Sequence, residues 1–392
     1  MLTSPQQNTL KNSSPTETED TTAVDRLTTE DRTGKPPKPR TGSSANLDLL
    51  RSIAVLLVLG EHLFRRNHIE TIGWVHVTSL GMFGVLLFFV HTSLVLMQSM
   101  ERSRLEGGPL LKNFFTRRAF RIYPLSIVAV LAAVALHLDS NVNGGHGLSF
   151  GPRPGIGRIA ANLLLVQNFT HSKPIVNVLW SLPYELQMYL LLPFLYLWSR
   201  KRKIFWPLLI FWVICIYPFS IQPNIHGLSR FGIINFFPNF LGGVIAFTLP
   251  RVPRIKSYWW PLFILFLVLL FTISSATITG YVLCLALGML IPSFAEISTS
   301  WLRVVSHNIA TYSYGVYLSH QFCIWFALGF LGSHSPWLKV PLLVALLVAV
   351  PVLFYHSVEK PMIQVGSTLA KAYASPPNET RQPKLSKSGV SS

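Results

Sequence analysis

Residues 46–64 read NLDLLRSIAVLLVLGEHLF, an apolar helical stretch that also holds Asp48, Arg51, Glu61 and His62. A charge at the centre of a bilayer costs about 2.5–3.5 kcal/mol on insertion scales, so ionisable groups in such a helix usually serve a function. Whether this helix lies in a membrane decides the fold.

The rest of the chain says that it does. Of 392 residues, 50% are hydrophobic and 12% charged, against about 25% charged in a typical soluble protein. Ten apolar runs follow one another at 47–64, 80–100, 119–137, 178–198, 204–220, 231–249, 258–273, 277–294, 310–331 and 338–359. Roughly 20 helical residues span the hydrocarbon. The expectation is an all-α, polytopic transmembrane bundle of about ten spans.

A net charge of +17 raises the question of nucleic acid. The basic residues, however, alternate with the spans. With the N-terminus inside, 25 of the 33 Lys and Arg fall on cytoplasmic segments and 7 on outer loops, as the positive-inside rule requires. Both termini are then cytoplasmic, the protein is a multi-pass plasma-membrane protein among lipids, and no nucleic-acid partner is expected.

Residues 1–46 are rich in Ser, Thr and Pro, hold six basic and six acidic residues, and lack an apolar signal region. They predict a disordered cytoplasmic tail, as do residues 367–392, leaving 47–366 as the membrane domain. Cys215, Cys284 and Cys323 lie inside apolar runs and read as small apolar residues. No metal-ligand spacing, phosphate loop, nucleophile elbow or dinucleotide fingerprint appears, so neither a metal nor a bound cofactor is expected.

In the opening helix, Arg51 and His62 are eleven residues apart, about 1100° of rotation, which puts them about 20° apart on one face and about 16 Å apart in rise. Asp48 shares that face, and Glu61 is placed to pair with Arg65 at i+4. Asp48 and Arg51 alone also fit a juxtamembrane ion pair, and His62 a packed core histidine.

Six segments in order resemble the acyltransferase-3 family of integral-membrane O-acyltransferases: LDLLRSIAVLLVLGEH with its Arg–ten residues–His spacing, GVLLFFVHTSLVL at 84–96, FFTRRAFRIYPL at 114–125, LWSLPYELQMYLLLP at 179–193, YSYGVYLSHQF at 312–322 and SVEKP at 357–361. Leu86 stands where the family commonly has Asp, and Thr92 and Ser93 follow His91 where it has Ser-Gly. His91 therefore either takes over that Asp's role or packs. The chain is similar to the stand-alone members without a fused hydrolase-like domain.

The resemblance implies transfer of an acyl group, often acetyl, from cytoplasmic acyl-CoA to a hydroxyl of a carbohydrate, lipid-linked sugar or small molecule. His62 is the first candidate for general base or covalent acyl relay, because neutral imidazole suits both near pH 7. Glu185 is the second. Ser181 is placed to cap its helix, which puts Glu185 about one turn inside the outer boundary. There Glu185 either orients the acceptor or fixes the His62 tautomer, or else simply bonds Tyr189. Arg51 is the third catalytic candidate, on the His62 stripe, and Asp48, Ser181, Tyr189, His91 and His320 are supporting candidates. Arg117, Arg118 and Arg121, at the cytoplasmic entry of the third span, offer guanidinium forks to the phosphates of CoA, or mark topology alone. A secondary transporter with buried Arg, His and Glu is the rival reading.

Overall fold

Ser44 starts the first helix: its hydroxyl accepts from the Leu47 amide and donates to the Glu296 carboxylate at 2.6 Å, satisfying an orphan N–H of the first turn. From there the computed structural model describes residues 44–142, 147–201, 204–221, 233–274, 276–330 and 336–373. Each of the ten apolar runs forms a helix. They are α1 (Ala45–Arg66), α2 (Leu80–Ser103), α3 (Gly107–Ala135), α5 (Leu182–Lys201), α6 (Phe205–Ile221), α7 (Ile233–Thr248), α8 (Trp259–Ser274), α9 (Thr277–Leu290), α10 (Ser300–Ile324) and α11 (Pro336–Phe354). Two more are α4 (Ile156–Leu163) and α12 (Lys360–Ala372).

Among the described residues, three stretches are long and apolar enough to cross a membrane: Val77–Ser103, Gly107–Ala135 and Trp337–Ala372. Shorter apolar helices are Phe205–Tyr217, Ile234–Thr248, Trp259–Ser274 and Thr277–Ser293. Trp206, Ile210, Leu265, Phe266, Val344 and Val348 project outward from α6, α8 and α11, an apolar exterior that suits lipid and that water would penalise.

Several boundaries move. Helix α3 begins twelve residues before its apolar run and α10 ten residues before its own, because polar turns remain helical where neighbours hold them. Asn113 of α3 donates to the Ala370 carbonyl of α12 at 3.1 Å. The tail boundaries shift too: Ala45 and Asn46 belong to α1, and residues 367–372 are helical rather than disordered. The remainder of both expected tails, 1–43 and 374–392, lies outside the described residues.

The core is built around α2, which packs on α1 and on α7, with α9 crossing α7 and α10 crossing α1. Two glycines make these crossings close. A Cβ on Gly84 would lie 2.6 Å from the Ala54 carbonyl oxygen, and one on Gly242 would lie 2.5 Å from that of Cys284. Asn46 fastens the start of α1: it donates to Ala295, accepts from Ile297, and its carbonyl receives the Trp260 indole at 3.0 Å.

Beyond the C-terminal end of α1, two short hairpins form. β1 (Thr71–Ile72) pairs with β2 (Val75–His76), and β3 (Leu138–Asp139) with β4 (Ser149–Phe150). Asp139 is bonded by Arg158 of α4 and by Asn141. Burial alone would raise its carboxyl, but these hydrogen bonds outweigh it and hold Asp139 below the usual carboxylate range. From α4 the chain turns back into the bundle, with Ile175, Val176, Val178 and Leu179 buried, and a 3-10 turn (Asn177–Trp180) delivers it to α5. Among the described residues, π turns occur at Trp325–Phe330 after α10 and at Tyr355–Glu359 between α11 and α12.

Candidate active site

Five helices converge on a cavity of about 70 Å³ lined by Arg51 of α1, Phe88 and Thr92 of α2, Arg121 of α3, Ser181 and the α5 residues Glu185 and Tyr189, and Ser313, Tyr314 and Tyr317 of α10. Several water molecules would fit in that volume. Arg51 donates from Nε to Ser313 Oγ at 2.6 Å, and Ser313 in turn donates to the Ala310 carbonyl. Tyr189 donates to Glu185 one turn earlier, the bond that the i+4 spacing allowed. Arg121 pairs with Glu359 and lies 5.8 Å from the Tyr314 ring centre.

The charges acting on Glu185 are those of Arg51, Arg118 and Arg121. Three cations thus meet two carboxylates, Glu185 and Glu359, in the interior. Buried charges persist only when paired in this way. His91, 5% exposed, adjoins the cluster within reach of the Arg51 charge.

Ser181 takes a different role from the one expected. Tyr317 donates its single hydroxyl proton to the Val178 carbonyl at 2.8 Å, so the 2.7 Å bond between Tyr317 and Ser181 must use the Ser181 proton. The Ser181 hydroxyl ties the 3-10 turn to α10 rather than capping α5.

His62 is not in this cavity. It lines a second one of about 20 Å³, with Arg66, Leu148, Gln321, Ile324, Trp325 and Gly329. Its ring centre lies 5.0 Å from that of His320. His320 Nδ1 is 3.0 Å from the Val316 carbonyl, and a carbonyl only accepts, so Nδ1 carries the proton. The neutral ring then leaves Nε2 bare, and Nε2 has no hydrogen-bond partner among the described residues.

This corrects the expected meeting of Glu185 with His62. Helix α5 starts at Leu182, after a 3-10 turn that is itself buried. Glu185 therefore enters the bundle at the depth of Arg51. Asp48 is a second correction: it bonds His307 Nδ1 at 2.9 Å, because α10 extends past its apolar run to reach the start of α1. Glu61 does pair with Arg65. The basic triplet is divided, with Arg121 in the cavity, Arg118 against Tyr189, and Arg117 donating to Asn113 at 3.1 Å.

Sequence reasoning quoted the segments that hold Ser313, Tyr314, Tyr317, Gln321 and Glu359 but gave none of the five a place in the site. Glu359 offered a signal, an acid at the end of the last apolar run; the tyrosines and Ser313 are ordinary in such helices.

No curated protein and no solved structure matches the chain. A family model described as an acyltransferase domain matches residues 44–356, from the cap of α1 into the second π turn. With both cavities inside that match, the chain belongs to the acyltransferase-3 family of membrane acyltransferases.

Proposed function

We propose that the chain is an O-acyltransferase of the plasma membrane (the inner membrane in a Gram-negative envelope) that moves an acyl group, acetyl in the first instance, from cytoplasmic acyl-CoA to a hydroxyl. The acceptor class is a glycan, a lipid-linked sugar or a related small molecule. In this reading the ten helices are spans and both termini are cytoplasmic, which the 25-to-7 bias of basic residues supports.

One observation carries the reading: Arg51 and His62 lie on one stripe of α1, each in its own cavity, separated by about 16 Å of helix rise. That separation suits a long donor lying along α1 better than two groups meeting at one atom. The phosphates are assigned to Arg117, on the cytoplasmic half of α3, while Arg118 stays with the interior charges. Arg51 and Glu185, with Tyr189 and Arg121, grip the arm, and His62 acts at its far end. There the hydroxyl oxygen attacks the thioester carbon, the C–S bond breaks, an ester C–O bond forms, and the hydroxyl proton passes through the imidazole to the leaving thiolate. A covalent route through an acyl-imidazole uses the same residue and the same balance.

The test is purified full-length protein in lipid nanodiscs with labelled acetyl-CoA, coupled to mass spectrometry of envelope glycans from cells with and without the gene. Label moving to an ester that disappears with the gene is the expected result. Solute uptake by vesicles with no acetyl-CoA consumed would move the protein to the transporter class.

A further inference from the structure

Buried side-chain amides nearly always find hydrogen-bond partners. Gln321 is 3% exposed, yet neither Oε1 nor Nε2 has one among the described residues. It follows His320 on α10 and lines the small cavity beside His62. Leaving such a group unpaired costs stability that leucine in its place would not lose. The fold retains it nonetheless.

A carboxamide presents an acceptor and two donors side by side. An ether or ester carbonyl would satisfy only the donors, and an ammonium only the acceptor. A hydroxyl satisfies both, and a cavity of about 20 Å³ admits one water-sized group and little more. The walls point the same way. Trp325 forms one side, braced edge-on by Phe150 at 5.3 Å, a flat apolar surface on which a hydroxyl-bearing ring could rest.

We propose that this cavity is the acceptor-hydroxyl subsite, in which Gln321 recognises one hydroxyl of a polyhydroxylated ring compound and holds it beside His62. The proposal rests on the acyl-transfer reading for the use made of that hydroxyl, but not for its binding. Gln321 supplies recognition, and the proton transfer belongs to His62.

The experiment uses the full chain in nanodiscs, with methyl β-glucoside as probe and its permethylated analogue as control. His62 modification by diethyl pyrocarbonate is followed by peptide-resolved mass spectrometry. Methyl glucoside should slow modification of His62, and the permethylated compound should not. In Gln321→Leu the half-protecting concentration should rise tenfold or more, while the melting temperature stays level or rises. Equal protection by the permethylated compound, unchanged protection in Gln321→Leu, or a fall in its melting temperature would each overturn the proposal, the last by making Gln321 a structural residue. Protection that depends on Gln321 in a protein that transfers no acyl group would uphold the subsite and remove the acyltransferase reading. Acyl transfer without any protection would do the reverse.

Discussion

The two cavities along α1 differ most in how their polar atoms are engaged. Around Arg51 most groups hold one another: Arg51 hydrogen-bonds Ser313, Tyr189 hydrogen-bonds Glu185 and Ser181 hydrogen-bonds Tyr317, while Glu359 is held by its ion pair with Arg121, neither carboxylate oxygen having a hydrogen bond among the described residues. Around His62 they do not. His320 Nε2 and both polar atoms of Gln321 lack partners among the described residues. Charges fixed in place beforehand need no rearrangement when a ligand arrives, whereas unpaired buried groups are completed only by something from outside. The first cavity is therefore part of what holds the bundle together, and the second is open to a ligand at the expense of stability.

Substitutions should separate the two. The largest effect belongs to the charged cavity: Glu359→Ala leaves Arg121 beside Arg51 without its counter-charge, and breaking a buried pair costs about 3–5 kcal/mol. A melting temperature near wild type in that variant would break the contrast. Next comes His62→Ala, expected to cut acyl transfer by roughly 10²-fold or more while melting shifts little. The check is transfer by purified variants of matched thermal stability, and activity within a few-fold of wild type would reduce His62 to a packing residue. Smaller again is Arg117→Ala. Arg117 lines neither cavity, so it should raise the apparent KM for acyl-CoA several-fold and leave kcat alone; an unchanged KM returns Arg117 to topology.

The smallest effect concerns the hairpin above the second cavity. Because the Asp139 carboxyl titrates below its ordinary value when folded, its contribution is present above about pH 4, the unfolded value, and fades as pH falls toward the folded one. Hydrogen exchange of β3 and β4 should therefore quicken only in strong acid, and Asp139→Asn should abolish that dependence.

Much of this arrangement was legible in the sequence. The apolar runs located the helices, and charge inside such runs singled out Arg51, His62 and Glu185, since that combination is costly in any membrane. Depth was not legible. Only the folded structure puts the 3-10 turn before Leu182 inside the bundle, so nothing in the run at 178–198 placed Glu185 level with Arg51. Partners far apart in the chain were equally hidden. Asp48 and His307 meet because α10 extends beyond its hydropathy signal, and Arg121 meets Glu359 across most of the chain. Tyrosines and a serine in apolar helices carry no mark of the cavity they face.

The π turns bear on how such a protein diversifies. Each holds one residue more than an α-helix of equal rise needs. One supplies Trp325 and Gly329 to the small cavity, and the other ends on Glu359. Deleting the extra residue from either would restore ordinary helix and leave the downstream segment near its register, whereas the same deletion in uninterrupted α-helix would turn everything after it by about 100°. Loss of a residue from the first would remove the widened turn that carries Trp325 and Gly329, and loss from the second would remove the one that ends on Glu359. Chain length at these two points is thus an inheritable control, separate from residue identity. A lineage that loses one codon there would redraw the wall of a cavity while Arg51, Glu185 and His62 keep their names.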